Sequence, residues 1–176
     1  MPIELRGNGL SPVATGLAFT ASSAIFVFIS ALVTCAGARA VDLRVVGIAA
    51  LCYTGAMTFV VAGTSTAAIV TFLLVRSPFW AVLSTLSYPL CALGAYRADV
   101  GRGTVMGLLN LVWGAAGAVA PAAAAAIAQA ASEQWAFLAL MICAAATGLW
   151  LLVTKQPASD AVAEVEPEPA PASLPG

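Results

Sequence analysis

The chain has 176 residues, of which 61% are hydrophobic and only 9% are charged, and it contains no histidine. Soluble domains average about 25% charged residues, so the composition excludes an ordinary soluble domain and indicates an integral membrane protein. Without histidine, Ser-His-Asp and Cys-His catalytic arrangements and histidine metal sites are excluded. The few scattered basic residues exclude a nucleic-acid surface. We therefore expect neither an enzyme nor a bound cofactor or metal.

Long apolar runs predict about five transmembrane helices in an all-α polytopic membrane protein. Each run reaches the roughly 20 residues that cross a bilayer, and none shows the period-two alternation of a barrel strand. The predicted spans are 12–36, 45–63, 65–95, 104–129 and 134–153. A short segment, 1–11, precedes this bundle of residues 12–154. The acidic, proline-rich tail, 155–176, has the composition of a disordered, solvated segment.

The third span is longer than one crossing requires. Residues 65–95 would make a helix of roughly 46 Å, against about 30 Å of hydrocarbon. In one interpretation the membrane helix begins at Ser77 as N-cap, with Pro78 in its first turn and Arg76 at the interface. In the other it begins near Thr66, Pro78 is a kink and Arg76 lies near mid-depth, at a cost of about 2.5–3.5 kcal/mol. Both interpretations leave the number of crossings unchanged.

Basic residues are divided unevenly between the two sides of the predicted bundle. With five spans, loops 37–44 and 96–103 and the start of the tail share one side. That side carries Arg39, Arg44, Arg97, Arg102 and Lys155. The other side carries Arg6. The positive-inside rule therefore predicts a cytoplasmic C-terminus and an extracytoplasmic N-terminus in the cell membrane. Because an external N-terminus needs translocation, we expect a further helix upstream.

The fourth span has a face of small and polar residues. Spaced at intervals of four and three, they are Gly103, Gly107, Asn110, Gly114, Gly117 and Pro121. Small residues four apart let membrane helices approach closely, so one interpretation is helix packing alone. Asn110 would be unsatisfied against lipid, so it is expected to face a partner helix or a polar cavity. The functional interpretation places Asn110, Trp113 and Arg76 at a substrate cavity, with Trp80 as the other tryptophan placed for stacking.

Four stretches resemble the major facilitator superfamily of transporters. "GLSPVATGLAFTASSAIFVFISALVTCAGARAVDLRVVG" (9–47) looks like its eighth helix and the following cytoplasmic loop. "SPFWAVLSTLSYPLCALGAYRADV" (77–100) fits the tenth helix and "GRGTVMGLLNLVWGAAGAVAP" (101–121) the eleventh. "WAFLALMICAAATGLWLLV" (135–153) resembles the twelfth. The resemblance implies helices eight to twelve of that fold, in the orientation that the charges also favour.

Two motifs of that family are present only in altered form. Aligned on Asp42, the loop motif G-x-x-x-D-R-x-G-R-R has Ala38 for its first glycine and Leu43 for its first arginine. The antiporter motif G-x-x-x-G-P-x-x-G-G keeps Pro121 in residues 116–125, with alanine at all four glycine positions. The residues at these positions are still small, which allows close helix packing. Neither motif indicates a substrate.

The charged residues of the cytoplasmic loops also have two interpretations. They are Arg39, Asp42, Arg44, Arg97, Asp99 and Arg102. The arginines around Asp42 are placed to pair with it or to anchor helix ends. The charges around Asp99 form either an inner gate that breaks and re-forms during transport, or a solvated turn whose exposed pairs contribute about 0–1 kcal/mol.

The resemblance implies a partial secondary transporter that moves a small organic solute, with efflux among the directions considered. Two six-helix halves would rock around a central site, so the chain would need an N-terminal half or another helix bundle as partner. No carboxylate lies inside a span, so this chain alone completes no proton relay. A deep Arg76 would need an anionic solute, a bound anion or an acid on the missing part. The alternative is a non-transporting membrane interaction protein, or a decayed transporter remnant, that pairs through its small-residue faces.

Overall fold

The computed structural model describes residues 11–63 and 65–154. Within these ranges the secondary structure is entirely helical and forms one bundle. The elements are α1 (Pro12–Ala36), a 3-10 turn (Gly37–Ala40), α2 (Leu43–Ala62), α3 (Thr66–Arg97), α4 (Arg102–Ala130) and α5 (Glu133–Val153). All five α-helices are long and apolar enough to cross a membrane. This confirms the predicted all-helical class and the five helices of spanning length. Residues 1–10 and the predicted tail, 155–176, lie outside the described residues.

Local capping explains where three of the helices begin. Ser11 Oγ accepts a hydrogen bond from the backbone N–H of Ala14 at 3.2 Å, and Pro12 follows it as the first residue of α1. Asp42 Oδ1 accepts from the backbone N–H of Arg44 at 2.7 Å at the start of α2. Ser65 Oγ accepts from Ala68 N–H at 3.2 Å at the start of α3. The observed bounds of all five helices lie within two residues of the spans given above, although α4 and α5 begin without a side-chain cap.

Helix α3 runs unbroken from Thr66 to Arg97, with Pro78 and Pro89 inside it. The interpretation in which the helix begins at Ser77 is therefore wrong: Ser65, not Ser77, is the N-cap. A helix of 32 residues is about 48 Å long, so it exceeds the hydrocarbon thickness and has to tilt or extend into the interface. Arg76 is ten residues beyond Thr66, so it lies about 15 Å along the helix axis from that first residue.

The core lies between α2, α3 and α5. Helix α2 packs most extensively on α5, and α3 packs on both α1 and α2. The buried cluster between them is Ala56, Met57, Val60 and Phe72, with Tyr53, Phe137 and Met141 against it. A second cluster, Ile69 and Leu73 with Phe19 and Val70, joins α3 to α1. Helix α3 is therefore the element that holds α1 to the rest of the bundle.

Two glycines permit the closest helix contact, between α2 and α5. A Cβ built on Gly148 would lie 3.0 Å from the Leu51 side chain and 3.2 Å from Ala50 Cβ. A Cβ on Gly47 would lie 3.0 Å from the Leu152 side chain and 3.1 Å from the Gly148 carbonyl oxygen. Both glycines are buried. The small-residue contact on which this bundle depends is thus at the α2–α5 crossing.

Helix α4 packs only lightly, on α5 and α3, and it has no buried residue. Apolar side chains along it stay exposed, among them Leu111 at 67% and Val119 at 64%. In a membrane such a surface faces either lipid or another protein.

The α2–α5 crossing can be tested by adding a side chain to it. We expect Gly148→Val to lower the free energy of unfolding by about 1–3 kcal/mol, because overpacking forces neighbouring atoms to shift. The matched control is Gly114→Val in the middle of α4, where an added Cβ would meet nothing within 4 Å. Denaturation in mixed detergent micelles, followed by circular dichroism, measures both. Equal losses in the two variants would contradict the assigned crossing.

Candidate functional site

A cavity between α1 and α3 surrounds the arginine of the third span. It has a volume of about 270 Å³. Its lining residues are Ser22, Ser23, Phe26 and Val27 of α1 and Arg76, Ser77 and Trp80 of α3. Ser23 and Val27 are exposed, so the cavity opens to the surface of the bundle on the α1 side. Within the described part of the chain, this cavity unites a cation, hydroxyl groups and an aromatic wall.

Arg76 has an unmet hydrogen-bond donor. Its Nε atom is buried and has no hydrogen-bond partner. The ring of Phe72, one turn earlier on α3, lies 5.6 Å from the guanidinium carbon. This cation–π contact contributes about 0.5–2 kcal/mol but offers no acceptor atom for an N–H group. The hydrogen-bonding capacity of this Nε–H group is therefore unmet by the described residues, in a side chain that lines the cavity.

The described carboxylates all lie at helix ends, away from Arg76. Asp42 caps α2, Asp99 lies in the turn after α3, and Glu133 is the first residue of α5. Arg76 lies ten residues inside α3. Arg76 therefore lies among apolar helices with no described carboxylate beside it.

A pair of serines joins α1 to α3 at the cavity wall. The Oγ atoms of Ser22 and Ser77 are 2.6 Å apart, and both hydroxyls also lie within hydrogen-bond distance of the Leu73 carbonyl oxygen, at 3.2 and 2.6 Å. Both serines are buried. Pro78 follows directly and has no N–H, so the Leu74 carbonyl loses its usual helical donor. Polar backbone and side-chain groups are therefore concentrated in the turn of α3 that carries Arg76.

Three aromatic rings from three helices are linked through Trp80, which lines the cavity. Trp80 lies 6.1 Å from Tyr53 of α2 and 5.6 Å from Trp113 of α4, measured between ring centroids. The two indoles meet edge to face, at 75°. Such pairs contribute about 0.5–1.5 kcal/mol beyond their burial. Trp80 therefore connects Arg76 with Trp113, two of the three residues predicted for a substrate cavity.

Asn110, the third predicted cavity residue, lies elsewhere. It is exposed, and its Oδ1 accepts a long hydrogen bond of 3.4 Å from Tyr88 Oη. Tyr88 is twelve residues beyond Arg76 on α3, or about 18 Å along the helix axis. The structure thus separates Asn110 from the cavity around Arg76 and gives it a contact between α3 and α4.

The glycines of the predicted packing face of α4 have no close neighbour among the described residues. A Cβ added at Gly103, Gly107, Gly114 or Gly117 would meet nothing within 4 Å, and Pro121 is exposed. Asn110, also on this face, contacts α3, and the glycines themselves do not account for the packing of α4 on α3 or α5. Its contact with another bundle stays a prediction.

The loop charges lie at helix ends, as their positions predict. Arg39 is exposed in the 3-10 turn, Arg44 lies in the first turn of α2, and Asp42 caps that helix. Arg97 ends α3 and Arg102 begins α4. Asp99, between them, has a φ of 51° and lines an open cavity with Tyr96, Val100 and Arg102. A role of these charges in gating stays a prediction.

The serine pair and the Phe72 contact are absent from the features predicted above. In the sequence, Ser77 before Pro78 is typical of a helix start, and Ser22 lies in an apolar run. A signal was present: Phe72, Arg76 and Trp80 are spaced four apart, which places them on one face of α3. The pairing with Ser22 could not be found in this way because it joins residues of different helices.

No family model, curated protein or solved structure matches this chain. Any function therefore has to be argued from the site itself: a guanidinium with free donor capacity, an aromatic wall and hydroxyl groups in a small cavity. Such a site can bind and orient a small anion. It holds no pair of a nucleophile and a base for covalent chemistry among the lining residues.

The serine pair predicts a measurable link between α1 and α3. We expect Ser22→Ala to lower the free energy of unfolding by about 0.5–1.5 kcal/mol, the usual range for a hydrogen bond between membrane helices. Ser23→Ala is the matched control, because Ser23 is exposed and lies on the same turn. Thermal unfolding in detergent, followed by tryptophan fluorescence, compares them. A larger loss for Ser23→Ala would show that the pair is not a structural link.

Proposed function

We propose that the protein is the C-terminal part of a secondary transporter of the major facilitator type, which moves a small organic solute across the cell membrane. The observation that carries the proposal is the buried, unpartnered Nε of Arg76 in a cavity between two helices of spanning length. A charged residue inside a membrane segment is costly and commonly marks a solute or ion pathway.

The proposal includes a further helical bundle as partner, either an N-terminal half of the same chain or a separate protein. Exposed apolar surface along α4 and the opening of the Arg76 cavity beside α1 support it. In transporters built from two bundles, the solute site lies between them near the midplane, and each bundle supplies part of its wall. A cavity open on one side is what one such bundle alone would present.

The proposed orientation has the loops around Arg39 and Arg102 on the cytoplasmic side, together with the C-terminus. Its support is the distribution of basic residues along the chain. The helix bounds are consistent with it, because both loops follow an odd-numbered helix and so lie on the same side of a five-helix bundle. In this orientation Arg76 belongs to the half of α3 that is nearer the external side.

The size of the native assembly tests the two-bundle proposal. The protein, with a C-terminal epitope tag, is extracted in mild detergent from cells that carry the gene with its upstream DNA intact. We expect either a polypeptide about twice the 17.7 kDa of this chain or a complex of this chain with a second membrane protein of similar size. Denaturing mass spectrometry distinguishes these two forms. A 17.7 kDa chain with no membrane partner would contradict the proposal.

A second candidate function is a membrane interaction protein that does not transport. The observation that favours it is the unpartnered glycine face of α4, where Gly103 and Gly107 have open space beside them. Small residues four apart allow two helices to meet at short distance. In this case the face would be the main interface of the protein and the Arg76 cavity would have a structural role.

The two functions predict different effects of a bulky residue on α4 on the association of the protein with a partner. If the glycine face is an interface, Gly107→Leu should weaken association at least about fivefold, because a leucine prevents the close approach of helices. Cross-linking yield in native membranes measures this, with Leu108→Ile as the control on the neighbouring side of the helix. Unchanged association in Gly107→Leu would remove the interface role of this face.

A further inference from the structure

We propose that the Arg76 cavity binds a small organic monocarboxylate, with its carboxylate at the guanidinium and its apolar, preferably aromatic, body against Trp80. The inference deepens the proposed function, since it names the class of solute, but binding itself can be measured without transport. Four features of the cavity carry it: its charge, its donor geometry, its walls and its volume.

The charge of the site favours a monoanion. Arg76 is the cation that lines the cavity, and the other described basic residues lie at helix ends. These are Arg39, Arg44, Arg97 and Arg102. One positive charge neutralises one negative charge, and a second negative charge would stay uncompensated among apolar helices. A phosphate monoester or a dicarboxylate therefore fits less well than a monocarboxylate.

The donor geometry favours a carboxylate. A guanidinium presents its N–H groups in a planar fork that matches the two oxygens of a carboxylate, and such pairs form strong, short hydrogen bonds. The unpartnered Nε of Arg76 provides one of the donors of such a fork. Phe72 lies against the guanidinium at 5.6 Å and holds its position without using any donor. Among the residues that the structure describes, no acceptor partners this Nε, so a ligand carboxylate would supply the missing one.

The walls favour an apolar body on the ligand. Phe26, Val27 and Trp80 line the cavity beside Arg76. The hydroxyls of Ser22 and Ser77 are already engaged with each other and with the Leu73 carbonyl. Few hydrogen-bonding groups are therefore left for a sugar or another polyhydroxylated solute. Trp80 is itself supported by Tyr53 and Trp113, so its ring offers a stable surface for stacking.

The volume of the cavity limits the size of the ligand that it can hold. At about 270 Å³ the cavity lies just below the usual range for drug-sized ligands, so it fits a compact ligand with one ring. Benzoate combines one carboxylate with one aromatic ring and is the probe of choice. Benzamide has the same shape without the charge and is the matched control ligand.

Equilibrium dialysis of radiolabelled benzoate tests the inference on protein purified in its native form and placed in phosphatidylcholine nanodiscs. We expect saturable binding that benzamide does not compete for. Arg76→Gln should weaken it about tenfold or more, as expected for the loss of charge-assisted hydrogen bonds. Arg76→Lys should retain part of it, because the charge remains while the planar fork is lost. Arg39→Gln, which removes an exposed arginine outside the cavity, should leave binding unchanged.

Three outcomes would overturn the inference. One is the absence of saturable benzoate binding, or equal binding by Arg76→Gln. Another is Arg76-dependent binding of inorganic phosphate that is tighter than that of benzoate. The third is complete competition by phosphatidylglycerol in the nanodisc, which would assign the site to a lipid phosphate. If Arg76→Gln fails to fold, the wild-type protein still decides: benzoate should raise its melting temperature and benzamide should not.

Failure of the inference and failure of the transport proposal are distinguishable. Dialysis contains no gradient, so it reports binding alone. Reconstituted vesicles loaded with unlabelled benzoate then report exchange for external labelled benzoate. Binding without exchange would keep the ligand assignment and contradict transport by the purified form. Exchange that persists in Arg76→Gln would support transport and remove the assigned role of Arg76.

Discussion

A guanidinium among apolar helices has to be compensated, and groups of α1 and α3 surround Arg76 in this bundle. At the centre of a membrane helix an arginine costs about 2.5–3.5 kcal/mol relative to an apolar residue. Phe72 supplies part of the compensation through its ring, and the serine pair keeps α1 against the turn of α3 that carries Arg76. Neither supplies an acceptor to the buried Nε. The cavity remains chemically incomplete, and this makes it the place to look for a ligand.

The bundle combines one closely packed region with one loosely packed helix. At the α2–α5 crossing, Gly47 and Gly148 bring backbones so close that an added Cβ would lie about 3.0 Å from its neighbours. Across α4 an added Cβ at four glycines would meet nothing. Glycine costs conformational entropy in a helix wherever it stands, so its presence needs a reason at both places. The structure gives that reason for α2 and α5, and a partner bundle would give it for α4.

Much of the architecture could be predicted from the sequence, because a bilayer imposes simple rules on composition. Apolar runs of spanning length give helix bounds within two residues of the observed ones. The start of α3 stayed open between two interpretations, since a proline after a serine marks a helix start as well as a kink. Contacts between helices were the least predictable. The sequence offers glycines in several spans, and nothing local distinguishes those that meet a neighbour from those that do not.

The unmet hydrogen-bond donor of Arg76 also affects the energy of closing the cavity around it. Closing an empty cavity around Arg76 would remove a cation from water with no acceptor to replace the lost hydration, which is costly. An anion bound at the guanidinium would lower that cost, so the closed state would gain stability only when the site is filled. A ligand shifts a conformational equilibrium by its difference in affinity for the two states. In this protein that difference would come from Arg76, whose Nε has no hydrogen-bond partner among the described residues. The same group that makes the empty bundle costly would then couple binding of an anion to movement of α1 and α3.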